Sequence, residues 1–306
     1  MTEQLTPSAV PHRSLPVAAI TAMRPKQWLK NVLVFAAPIG AGAVLEPDVL
    51  VPTLIAFVAF CLISSATYLV NDVRDIDADR AHPFKSARPI PAGQLGVGTA
   101  LSLAVVLALA SFAMALAVNV GLLAVVVAYA VFTLAYSLFL KHEPVIELAL
   151  LSMGFLLRAV AGGVAAELPI STWFIIVTAF GSLFMAAGKR FSELDRAERS
   201  NADVNAPRRR SLEGYTTSYL RFVWGMAAAV MVTAYCLWAF DVGSPDATAP
   251  WAVWSVLPFV LAILRYAVDI DRGQAEAPED VVLHDKVLMA LGVVWLVLFG
   301  LGAMGV

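Results

Sequence analysis

The chain has 306 residues, 60% of them hydrophobic and only 14% charged, and its mean hydropathy is +0.78. No soluble domain needs so apolar a composition, so a water-soluble enzyme is excluded and a polytopic, all-α membrane protein is implied. The net charge of −2 decides little, because in such a chain the distribution of charge across the membrane matters more than its sum.

Residues 1–23 are predicted to be a disordered cytosolic tail: 1–16 are polar and contain proline, and 17–23 are too short an apolar stretch to be a cleavable signal before Arg24. Residues 24–306 are then a single integral-membrane catalytic domain. Apolar stretches able to cross roughly 30 Å of hydrocarbon predict nine transmembrane helices. They fall at about 31–45, 50–71, 96–118, 121–140, 144–166, 169–188, 218–240, 250–268 and 286–305. With the N-terminus inside and the C-terminus outside, the inside segments hold 20 of the 21 Lys and Arg residues, and the outside loops carry only acids such as Glu46, Asp48 and Glu167. That pattern predicts a multi-pass protein of the plasma (cell inner) membrane whose working face is cytosolic. Cys61 and Cys236 sit inside apolar spans and are read as packing residues, with no disulfide framework.

In chain order, the first polar constellation is RPKQWLKN at 24–31. Trp28 suits an interfacial belt and the cations suit lipid head groups, whereas Lys30 and Asn31 at the entrance of an apolar helix point to a polar cavity. The second span ends in Tyr68, Asn71, Asp72, Asp75 and Asp79. On a continuous helix, steps of three and four residues bring the three aspartates to one face, spread over roughly 10 Å. Three carboxylates there repel one another unless a cation lies between them. Hard oxygen ligands select Mg²⁺, which takes one or two carboxylates plus phosphate oxygens. A solvated acidic helix end is the competing reading. Lys85 and Arg88 follow closely and can hold phosphate, although positive-inside topology alone also accounts for them.

The fourth span ends with Tyr136 and Lys141, and the fifth contains Glu147 and Arg158. A buried Glu and Arg in one span are costly unless they face a cavity or each other, so Arg158 is expected either in a structural salt bridge or, preferably, facing a substrate phosphate. The sixth span ends in GKRFSEL, where Lys189 and Glu193 form an i, i+4 pair and Lys189 and Arg190 complement the helix dipole. Arg208, Arg209 and Arg210 are read as a membrane-surface anchor rather than a nucleic-acid patch. The four histidines show no metal-ligand spacing. A transporter or channel is disfavoured, because the charge clusters at one membrane face and no inverted repeat is visible.

NDxxDxxxD at 71–79 resembles the first aspartate-rich motif of the UbiA-type intramembrane prenyltransferase superfamily, and the predicted helix count is similar to that of its members. The resemblance implies a UbiA-type bundle around a cavity open to the cytosolic side, with Mg²⁺ bound to a diphosphate. A second aspartate-rich motif is expected after the sixth span, and GKRFSEL stands there instead. RPKQWLKN, NDVRDIDADRAHPFKSARPIPAG, YSLFLKH, LLRAVAGG, GKRFSEL, TSYLRFVWGM and ILRYAVDID are similar to one branch of the superfamily, whose reaction joins 5-phosphoribosyl 1-diphosphate to decaprenyl phosphate for cell-wall arabinan synthesis. This implies Asp72, Asp75 and Asp79 as catalytic residues, with Mg²⁺ on Asp72 and Asp75 and Asp79 acting through water or on the ribose hydroxyls. Tyr68 and Asn71 would bond the donor. Lys30, Lys141 and Arg158 are candidates for one substrate's phosphate, and Lys85, Arg88, Lys189 and Arg190 for the phosphates of the other. The lipid bilayer is the remaining partner; nucleic acid is none. Enzymes of this kind can form homo-oligomers, with no sequence pattern specifying a number. An ordinary prenyltransferase alkylating an aromatic or quinone precursor is the rival, and it should carry the second acidic motif.

Overall fold

The computed structural model describes residues 14–82, 84–199, 214–241, 249–275, 281 and 284–304. Proline, glycine or asparagine stands at several helix starts, as at Pro47, Gly96 and Asn119, although Pro52 and Pro258 lie inside helices. A short helix, α1 (Leu15–Ala22), falls within the segment expected as a tail, of which 1–13 lie outside the described residues. It buries Ala18 and Ala22, the latter in a cluster with Leu69 of α3 (Pro47–Arg74) and Leu107 of α5 (Val97–Val118). Between them come α2 (Ala36–Gly40) and α4 (Ile76–Arg80). The chain continues through α6 (Val120–Ala135), α7 (Ile146–Ala165), α8 (Thr172–Arg199), α9 (Thr217–Asp241), α10 (Trp251–Asp271) and α11 (Lys286–Ala303).

Eight helices among the described residues are long and apolar enough to cross a membrane, so the protein is an integral, multi-pass membrane protein. The first expected span, 31–45, is not one continuous α-helix. An 11-residue 3₁₀ helix occupies Pro25–Phe35, and the five residues of α2 follow it. Pro38 explains part of the break. It lacks the N–H that would close on the Val34 carbonyl. That carbonyl instead faces Gly162 of α7, where a Cβ would overlap it. At about 2.0 Å per 3₁₀ residue and 1.5 Å per α residue, the two pieces still extend roughly 30 Å.

The 3₁₀ segment is wedged between α3 and α7. One apolar core (Phe60, Ile63, Leu122, Val126, Tyr129) joins α3 to α6, and a second (Phe184, Phe191, Leu220, Tyr266, Ile270) joins α8, α9 and α10. At the turn into α6, Asn119 accepts from the Leu122 N–H at 2.7 Å and donates to the Val164 and Ala165 carbonyls, tying that turn to the far end of α7. Polar pairs mark the opposite end of the bundle. Arg221 meets Asp271 at 2.8 Å and Arg265 meets Asp285 at 2.6 Å, linking α9, α10 and the start of α11.

Candidate active site

The aspartate motif sits where α3 gives way to α4. Helix α3 ends at Arg74, and Asp75 (φ −91°, ψ 12°) separates it from α4, although the Asp75 and Asp79 amides still bond the Asn71 and Asp75 carbonyls at 2.9 and 2.8 Å. The three carboxylates therefore do not all face one way, as an unbroken helix would have required. Asp72 and Asp79 are buried and share Arg88, whose Nη1 lies 3.2 Å from Asp72 Oδ1 and 2.6 Å from Asp79 Oδ2. Asp75 instead pairs with Lys141 Nζ at 2.8 Å. Lys85 Nζ stands 3.4 Å from Asp79 Oδ1, and Arg24 pairs with Asp72 Oδ1.

Local backbone explains how these cations arrive. Arg24 precedes Pro25, which disfavours the right-handed helical region, and it takes φ 55°, ψ 61°. Its guanidinium lies 4.9 Å from the centre of the Tyr68 ring. Ser65 of α3 anchors the same entry, donating to the Met23 carbonyl and accepting from Trp28 Nε1, both at 3.0 Å. Arg88 leaves a one-turn 3₁₀ helix extended before Pro89, and its carbonyl accepts the Ala92 N–H at 2.9 Å. His82 Nδ1 accepts from the Phe84 and Lys85 amides, a turn role rather than a metal role.

Four cations thus sit on three aspartates. Both guanidiniums on Asp72 meet Oδ1, and Lys141 meets Oδ1 of Asp75. No hydrogen bond among the described residues reaches Oδ2 of either, whereas both oxygens of Asp79 face a cation. Among the described residues no three His, Cys, Asp or Glu side chains converge on one point. Two carboxylates with an open oxygen each nevertheless fit Mg²⁺, which completes its octahedron with water and phosphate oxygens.

A second charged cluster joins α7 to α8. Arg190 donates through Nε to Glu147 Oε1 at 2.7 Å, pairs with the same oxygen through Nη2, and meets Glu193 Oε2 at 2.5 Å and the Tyr136 hydroxyl at 3.3 Å. Arg190, expected to hold a substrate phosphate, is therefore occupied by two carboxylates. Glu193, expected as the i, i+4 partner of Lys189, takes the i, i+3 arginine instead. Glu147 Oε2 is buried without a partner among the described residues. Lys189 is half-buried on the neighbouring position and makes no hydrogen bond or ion pair among the described residues.

Arg158 belongs to neither cluster. It donates to Asn31 Oδ1, the Gly154 carbonyl and the Tyr129 hydroxyl, each at 2.7 Å, and its guanidinium lies over the Tyr129 ring at 4.6 Å. Asn31 in turn contacts Cys61 and Ser64, which precede Asp72 on α3 by eleven and eight residues. Eight residues of α-helix are about 12 Å, so this node lies far along the bundle from the aspartates. The alternative Glu147–Arg158 pair does not form, because three turns separate the two along α7, and on the preferred substrate-facing reading Arg158 already meets three protein acceptors. Lys30 and Asn71 are half-buried beside Asn31 and Asp72 respectively. The Arg208–Arg210 triplet lies outside the described residues. Tyr129 and the Arg24–Asp72 pair escaped sequence reasoning: an apolar-flanked tyrosine and an arginine 48 positions from its aspartate carry no spacing signal.

The UbiA prenyltransferase family model matches residues 32–291. A decaprenyl-phosphate phosphoribosyltransferase of Mycolicibacterium smegmatis is 49% identical over 97% of this chain and 95% of its own length. A protein of the same name from Corynebacterium glutamicum is 49% identical over 93% of this chain and 86% of its own. Among solved structures, a UbiA homolog from Archaeoglobus fulgidus bound to DMAPP and Mg²⁺ superposes with a TM-score of 0.69, covering 93% of this chain and 97% of that one at 15% identity.

Proposed function

The chain belongs to the UbiA prenyltransferase family and is a membrane-embedded transferase, and we propose that the group it transfers is 5-phosphoribose, moved from 5-phosphoribosyl 1-diphosphate to decaprenyl phosphate with release of diphosphate. The observation that carries this reading is the seating of Arg24, Lys85, Arg88 and Lys141 on three aspartates. Such an excess of cations suits a donor with a diphosphate and a 5-phosphate and an acceptor with a phosphate of its own. The 49% identity to relatives of that name supports the same substrates. The product would enter arabinan synthesis, and the positive-inside pattern supports a site that faces the cytosolic side of the plasma membrane.

Asp72 and Asp75 would hold Mg²⁺ through their open oxygens. Held there, Mg²⁺ would supply neutralisation of charge on the diphosphate leaving group. Arg88 and Lys85 are placed to leave Asp79 for phosphate oxygens, Arg88 offering a planar fork and Lys85 a point charge. Arg24, held over Tyr68, and Lys141, beside Asp75, flank the same oxygens. The acceptor phosphate is already an anion near neutral pH, so positioning replaces strong general-base catalysis. Arg158 and Arg190 hold the framework rather than a substrate.

The test is an incubation of purified protein with Mg²⁺, labelled phosphoribosyl diphosphate and decaprenyl phosphate. Labelled lipid and released diphosphate are expected, with loss of both on chelation. Label transfer only from a prenyl diphosphate to an aromatic acceptor would replace this reading with prenyl alkylation.

A further inference from the structure

The connector between α6 and α7 departs twice from regular backbone. Tyr136–Leu140 is a π-helix, and Val145 has φ 69°, ψ −51°. The Ile146 N–H reaches back to the Pro144 carbonyl at 2.8 Å, so Val145 is the centre of a γ-turn of the rare positive-φ form. A β-branched residue is a poor occupant of that region. Such strain persists only where surroundings over-determine it, and both π-helices and strained residues gather at functional sites.

Those surroundings are visible. The Val145 N–H donates to the Tyr215 hydroxyl at 2.7 Å, and a Cβ at Gly214 would overlap Pro144. Tyr215 is buried and stacks on Tyr219, ring centres 6.0 Å apart. Burial first, and the nearby Glu147 carboxylate after it, push the phenol up to about 12, so at neutral pH an uncharged hydroxyl accepts this bond. Val145 cannot relax to an ordinary conformation without giving up that partner.

The connector reaches both charged clusters. On one side the Leu138 carbonyl accepts from Arg74 Nη2 at 2.6 Å, and Lys141 meets Asp75. On the other, Tyr136 meets Arg190, and Glu147, two residues past Val145, pairs with Arg190. We propose that Tyr215 is a positioning residue: by accepting the Val145 N–H it holds the γ-turn that seats Glu147 against Arg190 and Lys141 against Asp75, fixing the cationic surface before the donor arrives. This rests on the reading of the donor as a sugar phosphate carrying a diphosphate.

Tyr215→Phe keeps the ring and its stacking and removes only the acceptor. Measured on the full chain in lipid nanodiscs, it should raise the KM for phosphoribosyl diphosphate about 3- to 10-fold, the worth of one hydrogen bond, with the KM for decaprenyl phosphate within about twofold of wild type. Glycine takes positive φ without a steric penalty. Tyr215→Phe/Val145→Gly should therefore return the donor KM to that of Val145→Gly alone. An unchanged donor KM, an equal rise in both KM values, or no rescue by glycine overturns the proposal. Hydrogen exchange at the Val145 amide needs no substrate and separates the two hypotheses. If wild-type protein fails to use phosphoribosyl diphosphate, the functional reading falls, and Tyr215 is judged on exchange alone. Faster exchange in Tyr215→Phe sustains the latch, and unchanged exchange removes it.

Discussion

The two charged clusters at this end of the bundle are unbalanced in opposite senses. Around Asp72, Asp75 and Asp79 four cations meet three carboxylates, and those cations remain 24% to 30% exposed. Between α7 and α8 one guanidinium, 6% exposed, lies between two carboxylates. Partly solvated cations in excess exchange partners at low cost, so the first cluster can hand Arg88 or Lys85 to a phosphate. A desolvated guanidinium cannot leave two carboxylates without stranding them, so the second is a fixture. On the proposed reading, the same residue types thus serve as ligand surface in one place and as framework in the other, and burial decides which.

The largest effect should come from the first cluster. Asp75→Ala and Asp72→Ala each remove a carboxylate proposed to hold Mg²⁺, and transfer of label to lipid should fall about 10³-fold with membrane-inserted protein retained. Asp79→Asn should cost far less, because both Asp79 oxygens already face Lys85 and Arg88. Equal losses at all three positions would erase the distinction between open and occupied oxygens.

Exchanging one cation in each cluster tests the comparison directly. Arg190→Met leaves Glu147 buried and uncompensated and should destabilise the fold by about 3–5 kcal/mol, read as a lowered thermal midpoint in detergent. Lys141→Met should leave the midpoint nearly unchanged and raise the donor KM instead, since Lys141 and Asp75 are partly solvated. A Lys141 variant that unfolds like the Arg190 variant would show that both clusters are framework.

The spans were legible because twenty apolar residues in a row have few folded alternatives, and Asp72 and Asp75 stood out because carboxylates at the end of such a run are costly. Two kinds of feature were not. The first predicted span hides a 3₁₀ helix, since its apolar composition does not reveal that the Val34 carbonyl abuts Gly162. Partner choice was also hidden. Arg190 and Arg158 carry equal charge and similar flanks, yet one meets Glu147 and the other Asn31 and Tyr129, contacts 43, 127 and 29 positions apart. Long-range pairing of this kind is set by how helices pack, which residue spacing within one helix cannot state.

The Arg158 node gives an intermediate test. Its cation is satisfied by neutral acceptors, so Asn31→Leu leaves Nε without its acceptor and should cost about 1–3 kcal/mol of stability. The donor KM should stay at the wild-type value, because Asn31 bonds Cys61 and Ser64 rather than the aspartates. A raised donor KM without loss of stability would return Arg158 to the substrate.

The smallest effect lies at the exposed pair between α10 and α11. Asp285 accepts from Arg265 at 2.6 Å and from the Val287 and Leu288 amides at 2.9 and 3.1 Å, capping α11. These bonds, led by that from Arg265, hold its carboxyl below the usual carboxylate range. A depressed folded-state value means that the stabilisation is complete above the unfolded carboxylate's range and is lost as pH falls through the lowered value. Asp285→Asn should therefore lower the thermal midpoint slightly at pH 7 and not at all at the acid extreme, where the wild-type carboxyl is protonated too. Being solvated, this pair should also weaken with added salt, while the Arg190 cluster, shielded from ions, should not. A salt response at Arg190 as large as that at Asp285 would mean that burial is not what separates framework from ligand surface.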